Sequence, residues 1–297
     1  MVAYQEVKKL IVPLAGWGTR FLPISKNYPK EMINLVDRPV VQYLIEEAYA
    51  SGIREVIFVL NKNNDMVQRY FSDQLYPQQR DVYKASPVAQ EQLRELNAIL
   101  RNIKFYHIKR SATFGDGHSI LCARSKISPN EPFALSMGDL LSFGKKPFLR
   151  QLIEVYAKVN APVISVERVS LAETAKYGVI APGASRGRLH EVKGIAEKPG
   201  PERAPSNIAM TGKYILTPAI FSYLALAVRN YQPGNEVRVA DALNLYAQRN
   251  PLYAYECKGK IQDTGNMLDF LKATVYLGLA HHKIGSDFRE FLASLRM

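Results

Sequence analysis

Short apolar runs alternate with segments of helical spacing through the first half of the chain. That alternation restricts the fold more than any other feature of its 297 residues. Residues 10–14 are an apolar run that ends in a glycine loop. Residues 40–50 place Val41, Leu44, Ile45 and Ala48 on one helical face. Residues 55–60 are β-branched and strand-like, 63–71 are helical again, and 88–100 read as a polar helix. Residues 103–108 predict a strand, 117–123 the start of a helix, and 133–137 a further strand. Strands separated by helices need crossover connections, which bring the strands together in parallel. The expected fold class is therefore α/β, with a doubly wound, mostly parallel sheet. Ligands of such sheets sit beyond the carboxyl ends of the strands. Here those ends are 15–20, 110–117, and Gly138 with Asp139.

The texture changes after about residue 161. Strand-like pieces at 161–168, 177–181, 189–196 and 208–216 are separated by turn residues, and helical segments return at 239–248 and 266–281. No repeat or linker interrupts the chain, so 1–297 is expected to form one continuous domain. Its first half is 1–145, and its strand-rich second half, 146–297, ends in helices.

Composition narrows the function classes. No run approaches the roughly 18 to 20 apolar residues of a membrane span. Residues 1–9 are polar, without the pattern of a signal peptide. Cys122 and Cys257 lie in apolar-rich segments and are expected as two buried thiols rather than a disulfide or metal site. A cytoplasmic location and no membrane partner follow by default. The net charge is +12, but Lys and Arg are dispersed, without a five-residue basic block. A nucleic-acid binder concentrates such charge on one face, so a solvated basic surface and no nucleic-acid partner are expected.

The densest chemical signal is Leu14-Ala15-Gly16-Trp17-Gly18-Thr19-Arg20, followed by Pro29-Lys30-Glu31-Met32. A strand ends, and two glycines bracket a tight loop whose N–H groups can turn toward an anion. Arg20 and Lys30 add fixed positive charge. The loop lacks the third glycine of a dinucleotide fingerprint and the Gly-Lys-Ser/Thr of a P-loop. Trp17 suits either stacking on a base or filling space beside the loop. His118 suits capping or packing, and His281 and His282 suit a solvated surface.

The run 15–43, AGWGTRFLPISKNYPKEMINLVDRPVVQY, resembles the signature of bacterial UTP–glucose-1-phosphate uridylyltransferases. Matches continue in order: Gly115-Asp116-Gly117-His118, Gly138-Asp139, Tyr177-Gly178-Val179, Glu197-Lys198-Pro199, Pro205-Ser206-Asn207, Gly212-Lys213-Tyr214, and Asp263 with Gly265-Asn266. The resemblance implies a Rossmann-like nucleotidyltransferase fold, with a nucleotide-binding first half and a sugar-phosphate-binding second half. It implies joining of a nucleoside triphosphate to a sugar 1-phosphate, in the leading reading UTP to glucose 1-phosphate, giving UDP-glucose and pyrophosphate, with Mg²⁺ as cofactor. The expected assembly is a homo-oligomer. Positioning and charge neutralisation carry such a transfer, without an enzyme nucleophile.

By the same resemblance Ala15 and Gly16 contact the base, Gly18, Thr19 and Arg20 the phosphates, and Lys30 the α-phosphate region. Arg20 and Lys30 are thus the expected catalytic cations. Glu31 lies near base or ribose, and Arg110 and Gly117 complete the nucleotide site. Gly178, Glu197 and Lys198 hold the sugar phosphate. Asp139 binds the metal, with Asp263 as the second ligand.

Three positions depart from the family pattern. Arg110 stands where a glutamine reads the uracil edge, and arginine only donates where glutamine also accepts. Ile33-Asn34 replaces Leu-Pro, and Arg238-Val239-Ala240-Asp241 replaces Gln-Leu-Thr-Asp. Two alternatives therefore stay open: the same chemistry with another nucleotide or sugar 1-phosphate, or a non-catalytic regulatory paralogue. Retention of Gly18-Thr19-Arg20 favours an active enzyme.

Overall fold

The computed structural model of the chain describes residues 5–62, 64–72, 77–110 and 114–295. The strands are β1 (Lys9–Leu14), β2 (Asn34–Leu35), β3 (Arg38–Pro39), β4 (Glu55–Asn61), β5 (Lys104–Arg110), β6 (Phe133–Ser136), β7 (Leu140–Phe143), β8 (Val163–Arg168), β9 (Gly178–Arg186), β10 (Leu189–Glu197), β11 (Ile208–Leu216), β12 (Tyr253–Glu256) and β13 (Lys260–Asp263). The helices are α1 (Val40–Ala50), α2 (Met66–Tyr70), α3 (Pro77–Ala85), α4 (Pro87–Asn102), α5 (Asp116–Cys122), α6 (Phe148–Val159), α7 (Ile220–Arg229), α8 (Val239–Ala247), α9 (Met267–Ala280) and α10 (Gly285–Ser294). Helices α3, α6, α7 and α10 add to those expected. Asn63, at the start of the expected helix 63–71, lies outside the described residues.

Nine strands form one sheet in the order β5-β4-β1-β6-β11-β8-β12-β10-β9. Alternation along each strand explains its two covered faces. In β1, Leu10, Val12 and Leu14 join one core with α1, α4 and α6, while Ile11 points to the other with α5, α7 and α8. In β4, Val56, Phe58 and Leu60 divide from Ile57 and Val59 in the same way. Burying each of these large side chains contributes about 1.5 to 3 kcal/mol.

The doubly wound, parallel arrangement holds from β5 to β6. Beyond β6 the neighbours are antiparallel, except for the parallel pair β8 and β12. The sheet as a whole is mixed. Short connections account for the change: Gly187 and Arg188 alone join β9 to β10, and a two-residue turn forces an antiparallel hairpin. The sheet nevertheless runs unbroken through both halves of the chain.

From β1 the chain winds outward to β4 and β5, then returns to β6 on the other side of β1. The loops after β1 and β6 therefore part, opening a crevice at the switch point. Over that crevice lies a small antiparallel ribbon, in which Leu140 of β7 pairs with Asp263 of β13 and Phe143 pairs with Lys260. Cys257 is buried and Cys122 half-buried, and both are free thiols. No described helix is long and apolar enough to cross a membrane.

Candidate active site

A cleft of about 700 Å³ opens at the carboxyl ends of the parallel strands. Ala15, Gly16, Gly18, Thr19 and Arg20 line one side with Lys30, Arg110 and Asp139, while Glu197, Lys198 and Asp263 come from the second half. Three site candidates stand behind these walls. Glu31 is 2% exposed, Gly117 packs against Val237, and Gly178 sits beneath Glu197.

The glycine loop after β1 is shaped by Gly18, whose φ of 62° is left-handed and costs other residues strain. It delivers the chain into a tight turn in which the Phe21 N–H donates to the Gly18 carbonyl at 2.8 Å. That turn aims Arg20 at the cleft. Lys30 opens a second such turn, Lys30–Met32, and its ammonium is ion-paired with the Asp139 carboxylate.

Asp139 follows β6, and its position is fixed from the far half of the chain. Its backbone carbonyl accepts from both the N–H and the hydroxyl of Thr264, each at 2.8 Å. Between the two carboxylates lies Gly265. A Cβ there would stand 2.7 Å from one Asp139 oxygen and 2.8 Å from one Asp263 oxygen. Only the smallest residue keeps both carboxylates facing the same gap.

Their electrostatics diverge. Burial pushes the Asp139 carboxyl upward, but Lys30, by charge and hydrogen bond, with help from Arg20, holds it below the usual carboxylate range. Burial first, and then the neighbouring Asp139 charge, push Asp263 up. Lys30 is raised because Asp139, Glu31 and Asp263 outweigh its burial. Glu31 is pushed up to about 7, chiefly by burial, although Asn64 donates to it at 3.3 Å.

On the opposite wall, Glu197 ends β10 and Lys198 follows at a φ of 47°, a left-handed conformation that is strained for a non-glycine residue. The Lys198 N–H donates to the Tyr177 carbonyl at 3.0 Å, which turns the side chain into the cleft. Its ammonium stands 4.0 Å from Glu197, and the Arg238 guanidinium 3.9 Å from the same carboxylate. Burial pushes Glu197 up, more than these two cations pull it down.

Residues 9–278 match the family described as Nucleotidyl transferase. The chain belongs to that family. It is 36% identical over 290 residues to the UTP–glucose-1-phosphate uridylyltransferase YngB of Bacillus subtilis strain 168, covering 97% of this chain and 95% of that one. The identity is again 36% with a UTP–glucose-1-phosphate uridylyltransferase of Staphylococcus epidermidis, over 98% of this chain and 99% of that one. A UDP-glucose pyrophosphorylase solved with UDP-glucose superposes with a TM-score of 0.81 at 36% identity, over 91% of this chain and 97% of the other. The UTP-bound enzyme of Acinetobacter baumannii gives 0.83 at 29% identity, over 98% and 100%.

The nucleotidyl transferase cleft also contains residues that sequence reasoning left without a role: Asp116, Lys176, Tyr177, Glu236 and Arg238. Arg238 is brought in by Val237, whose N–H donates to the Phe114 carbonyl at 2.6 Å and whose carbonyl accepts from Gly117 at 2.8 Å. Asp116 adds a third tie by accepting from the Val239 N–H at 2.8 Å. The change from Gln to Arg at 238 was the available signal. Trp17, expected to stack or to fill space, is 69% exposed at the cleft mouth and fills none. His281 is a correction: its ring bonds Asp37 at 3.1 Å and is largely covered, not solvated, because α9 ends against the β2–β3 turn.

Proposed function

We propose that this nucleotidyl transferase joins UTP to glucose 1-phosphate, giving UDP-glucose and pyrophosphate. One observation carries the reading: Lys30, Asp139 and Asp263 converge at the switch point, between a glycine loop on one wall and Glu197 with Lys198 on the other. A sugar-phosphate oxygen attacks the α-phosphorus, the bond from that phosphorus to the bridging oxygen breaks, and pyrophosphate leaves with the electron pair. Gly18, Thr19 and Arg20 hold the phosphates. Lys30 offsets charge developing around the α-phosphorus, and Lys198 grips the acceptor's phosphate while Glu197 accepts from sugar hydroxyls. Ala15 and Gly16 meet the base through their backbone.

The donor set suits Mg²⁺. Asp139 and Asp263 supply hard oxygen ligands, and no group of three or more His, Cys, Asp or Glu side chains able to hold a metal occurs among the described residues. Mg²⁺ takes one or two carboxylates and leaves its other positions to water and phosphate oxygens. When bound there it neutralises phosphate charge. In this reading the nucleotide half, 1–145, supplies the glycine loop, Lys30 and Asp139, and the sugar-phosphate half, 146–297, supplies Glu197, Lys198 and Asp263. A second copy of the chain in a homo-oligomer has an apolar strip on α9 to meet, where Met267, Leu268 and Leu271 are 67%, 63% and 62% exposed.

The deciding experiment measures pyrophosphate release with Mg²⁺ for four nucleoside triphosphates against several sugar 1-phosphates. UTP with glucose 1-phosphate should be fastest. Turnover no better than a protein-free blank for every pair would leave only a non-catalytic role. Arg110 is the observation favouring a second reading, the same transfer with another base, and the panel reads that directly.

A further inference from the structure

The β7–β13 ribbon has two ends. At one, Leu140 pairs with Asp263, immediately after Asp139. At the other, Phe143 pairs with Lys260, and there the flanking residues line a groove of about 480 Å³ against α6. Gln151, buried on α6, stitches this end together. Its amide donates to the carbonyls of Lys146 and Lys258, both at 3.0 Å, and accepts from the Lys258 N–H at 2.8 Å. Val155 and Tyr255 are the partly buried apolar surface inside the groove.

Lysines surround that surface. Lys146 is neutralised by Glu154 at 2.9 Å, which Arg150 also approaches at 3.3 Å. Lys145, Lys158 and Lys258 also line the groove, and their side chains have no hydrogen bond or ion pair among the described residues. Three unanswered ammonium groups around an apolar floor are complementary to a small molecule with phosphate groups and a compact carbon body. Charge-assisted bonds to phosphate oxygens would answer the lysines.

We propose that this groove is an effector site for a phosphorylated metabolite, read out through the ribbon at Asp139 and Asp263. The ribbon is four pairs long, about 10 to 13 Å at the usual rise per residue. A ligand that draws segments 144–146 and 258–259 together acts on the two strands that carry the facing carboxylates. Gly265 lies against both, since a Cβ there would stand 2.7 Å from an Asp139 oxygen and 2.8 Å from an Asp263 oxygen. Such coupling is reciprocal, so a ligand that tightens Mg²⁺ binding is itself bound more tightly when Mg²⁺ is present. The coupling rests on the metal reading given above, whereas binding in the groove does not.

The test uses fructose 1,6-bisphosphate as probe and compares the whole protein with Lys158→Glu/Lys258→Glu, backed by Lys158→Gln/Lys258→Gln should charge reversal disturb folding. Calorimetry is run with excess UDP-glucose, and the readout is the difference between proteins, so any event at the cleft cancels. The substituted protein should bind the probe at least about tenfold more weakly while keeping the wild-type rate in its absence. In wild type the probe should shift the Mg²⁺ concentration for half-maximal rate about fivefold or more, the lower end of common couplings. Neither double substitution should show that shift. Equal binding by all proteins, an unchanged Mg²⁺ requirement at saturating probe, or tighter binding of an oligoglutamate peptide than of the probe would each overturn the proposal. A wild-type rate indifferent to Mg²⁺ would strike the metal reading instead, and the calorimetric difference would still decide the groove.

Discussion

On the cleft wall that we assign to the nucleotide phosphates, the phosphate wall, Lys30 and Asp139 meet in an ion pair with side chains only 24% and 25% exposed. On the wall that we assign to the sugar phosphate, the sugar wall, Lys198 is 46% exposed at 4.0 Å from Glu197, and Arg238 is 36% exposed at 3.9 Å. The first wall is assembled during folding, with Lys30 and Asp139 already answering each other and the Asp139 and Asp263 carboxylates packed beside Gly265. Its groups need no reorganisation when charge develops on phosphorus, which is the condition for lowering a barrier. The second wall keeps its charges close without closing them on each other, and is free to answer an incoming phosphate. The phosphate wall should therefore show itself in kcat and the sugar wall in KM.

The largest effect is expected from Asp139→Asn. It removes the charge that we assign to Mg²⁺ and strips Lys30 of its partner while keeping the shape. We expect kcat/KM to fall by about 10³-fold or more, with circular dichroism unchanged, on the scale of preorganised electrostatic groups. A loss of less than tenfold would mean the wall is a structural pair and not a catalytic one. Lys30→Ala comes next. Its expected loss is about 10²- to 10³-fold in kcat, with a much smaller change in KM for UTP. A change confined to KM would erase the contrast between the walls.

The buried flank of the phosphate wall has a pH signature. The Glu31 carboxyl, ordinarily near 4.5, is pushed up to about 7, mainly by burial. The folded state therefore holds its proton more tightly than the unfolded chain. Its stabilising contribution is complete below about pH 4.5, declines as pH rises, and is gone above about 7. The shift corresponds to something on the order of 3 kcal/mol. Glu31→Gln should flatten that decline, leaving the variant the more stable protein at pH 8 in urea titrations. Parallel curves for both proteins between pH 4.5 and 8 would show that burial of Glu31 is not what sets it.

On the sugar wall, Lys198→Ala removes one charged hydrogen-bond donor, worth about 1.5 to 3 kcal/mol. The KM for glucose 1-phosphate should rise about ten- to hundredfold, with that for UTP nearly unmoved. Equal damage to both constants would mean the two walls do not serve separate substrates.

How much of this was legible follows from how local each feature is. Asp139 could be found because it follows an apolar strand directly after Gly138, and Lys30 because it stands in the motif that continues the glycine loop. The parallel half was legible for the same reason: five- and six-residue apolar runs separated by helical spacing admit few other arrangements. Arg238 and Lys176 could not be placed. Arg238 enters the cleft only because Val237 bonds Phe114 and Gly117, more than a hundred residues earlier. The β7–β13 ribbon is four residues per strand, too short for alternation to announce. Glu31 is expected near the base or ribose, but the turn Lys30–Met32 buries it with Met32 while Lys30 lines the cleft.

Arg110 sharpens the comparison from a third side. It closes β5, two strands from the glycine loop and on the side away from Asp139. It is 7% exposed and lines the cleft. One terminal nitrogen meets Ser119, the Gly115 carbonyl at 3.3 Å and the His118 Nδ1 at 3.4 Å, and Nε has no partner among the described residues. Burial lowers its pKa, and no carboxylate among the described residues reverses that. A buried cation answered only by neutral groups is costly until a ligand offers more acceptors. If that ligand is the base, Arg110→Gln supplies a donor and an acceptor suited to uracil. Selectivity for UTP should then rise about three- to thirtyfold, the worth of one neutral hydrogen bond and of not stranding a buried group. If it is a phosphate, the same substitution weakens all triphosphates alike, and Arg110 joins the phosphate wall. Measuring kcat/KM for UTP, dTTP, CTP and GTP in both proteins separates the two, and we expect the first. Unchanged constants for all four would leave base recognition to the backbone of Ala15 and Gly16, and would make the buried guanidinium a fold element held by Ser119, Gly115 and His118.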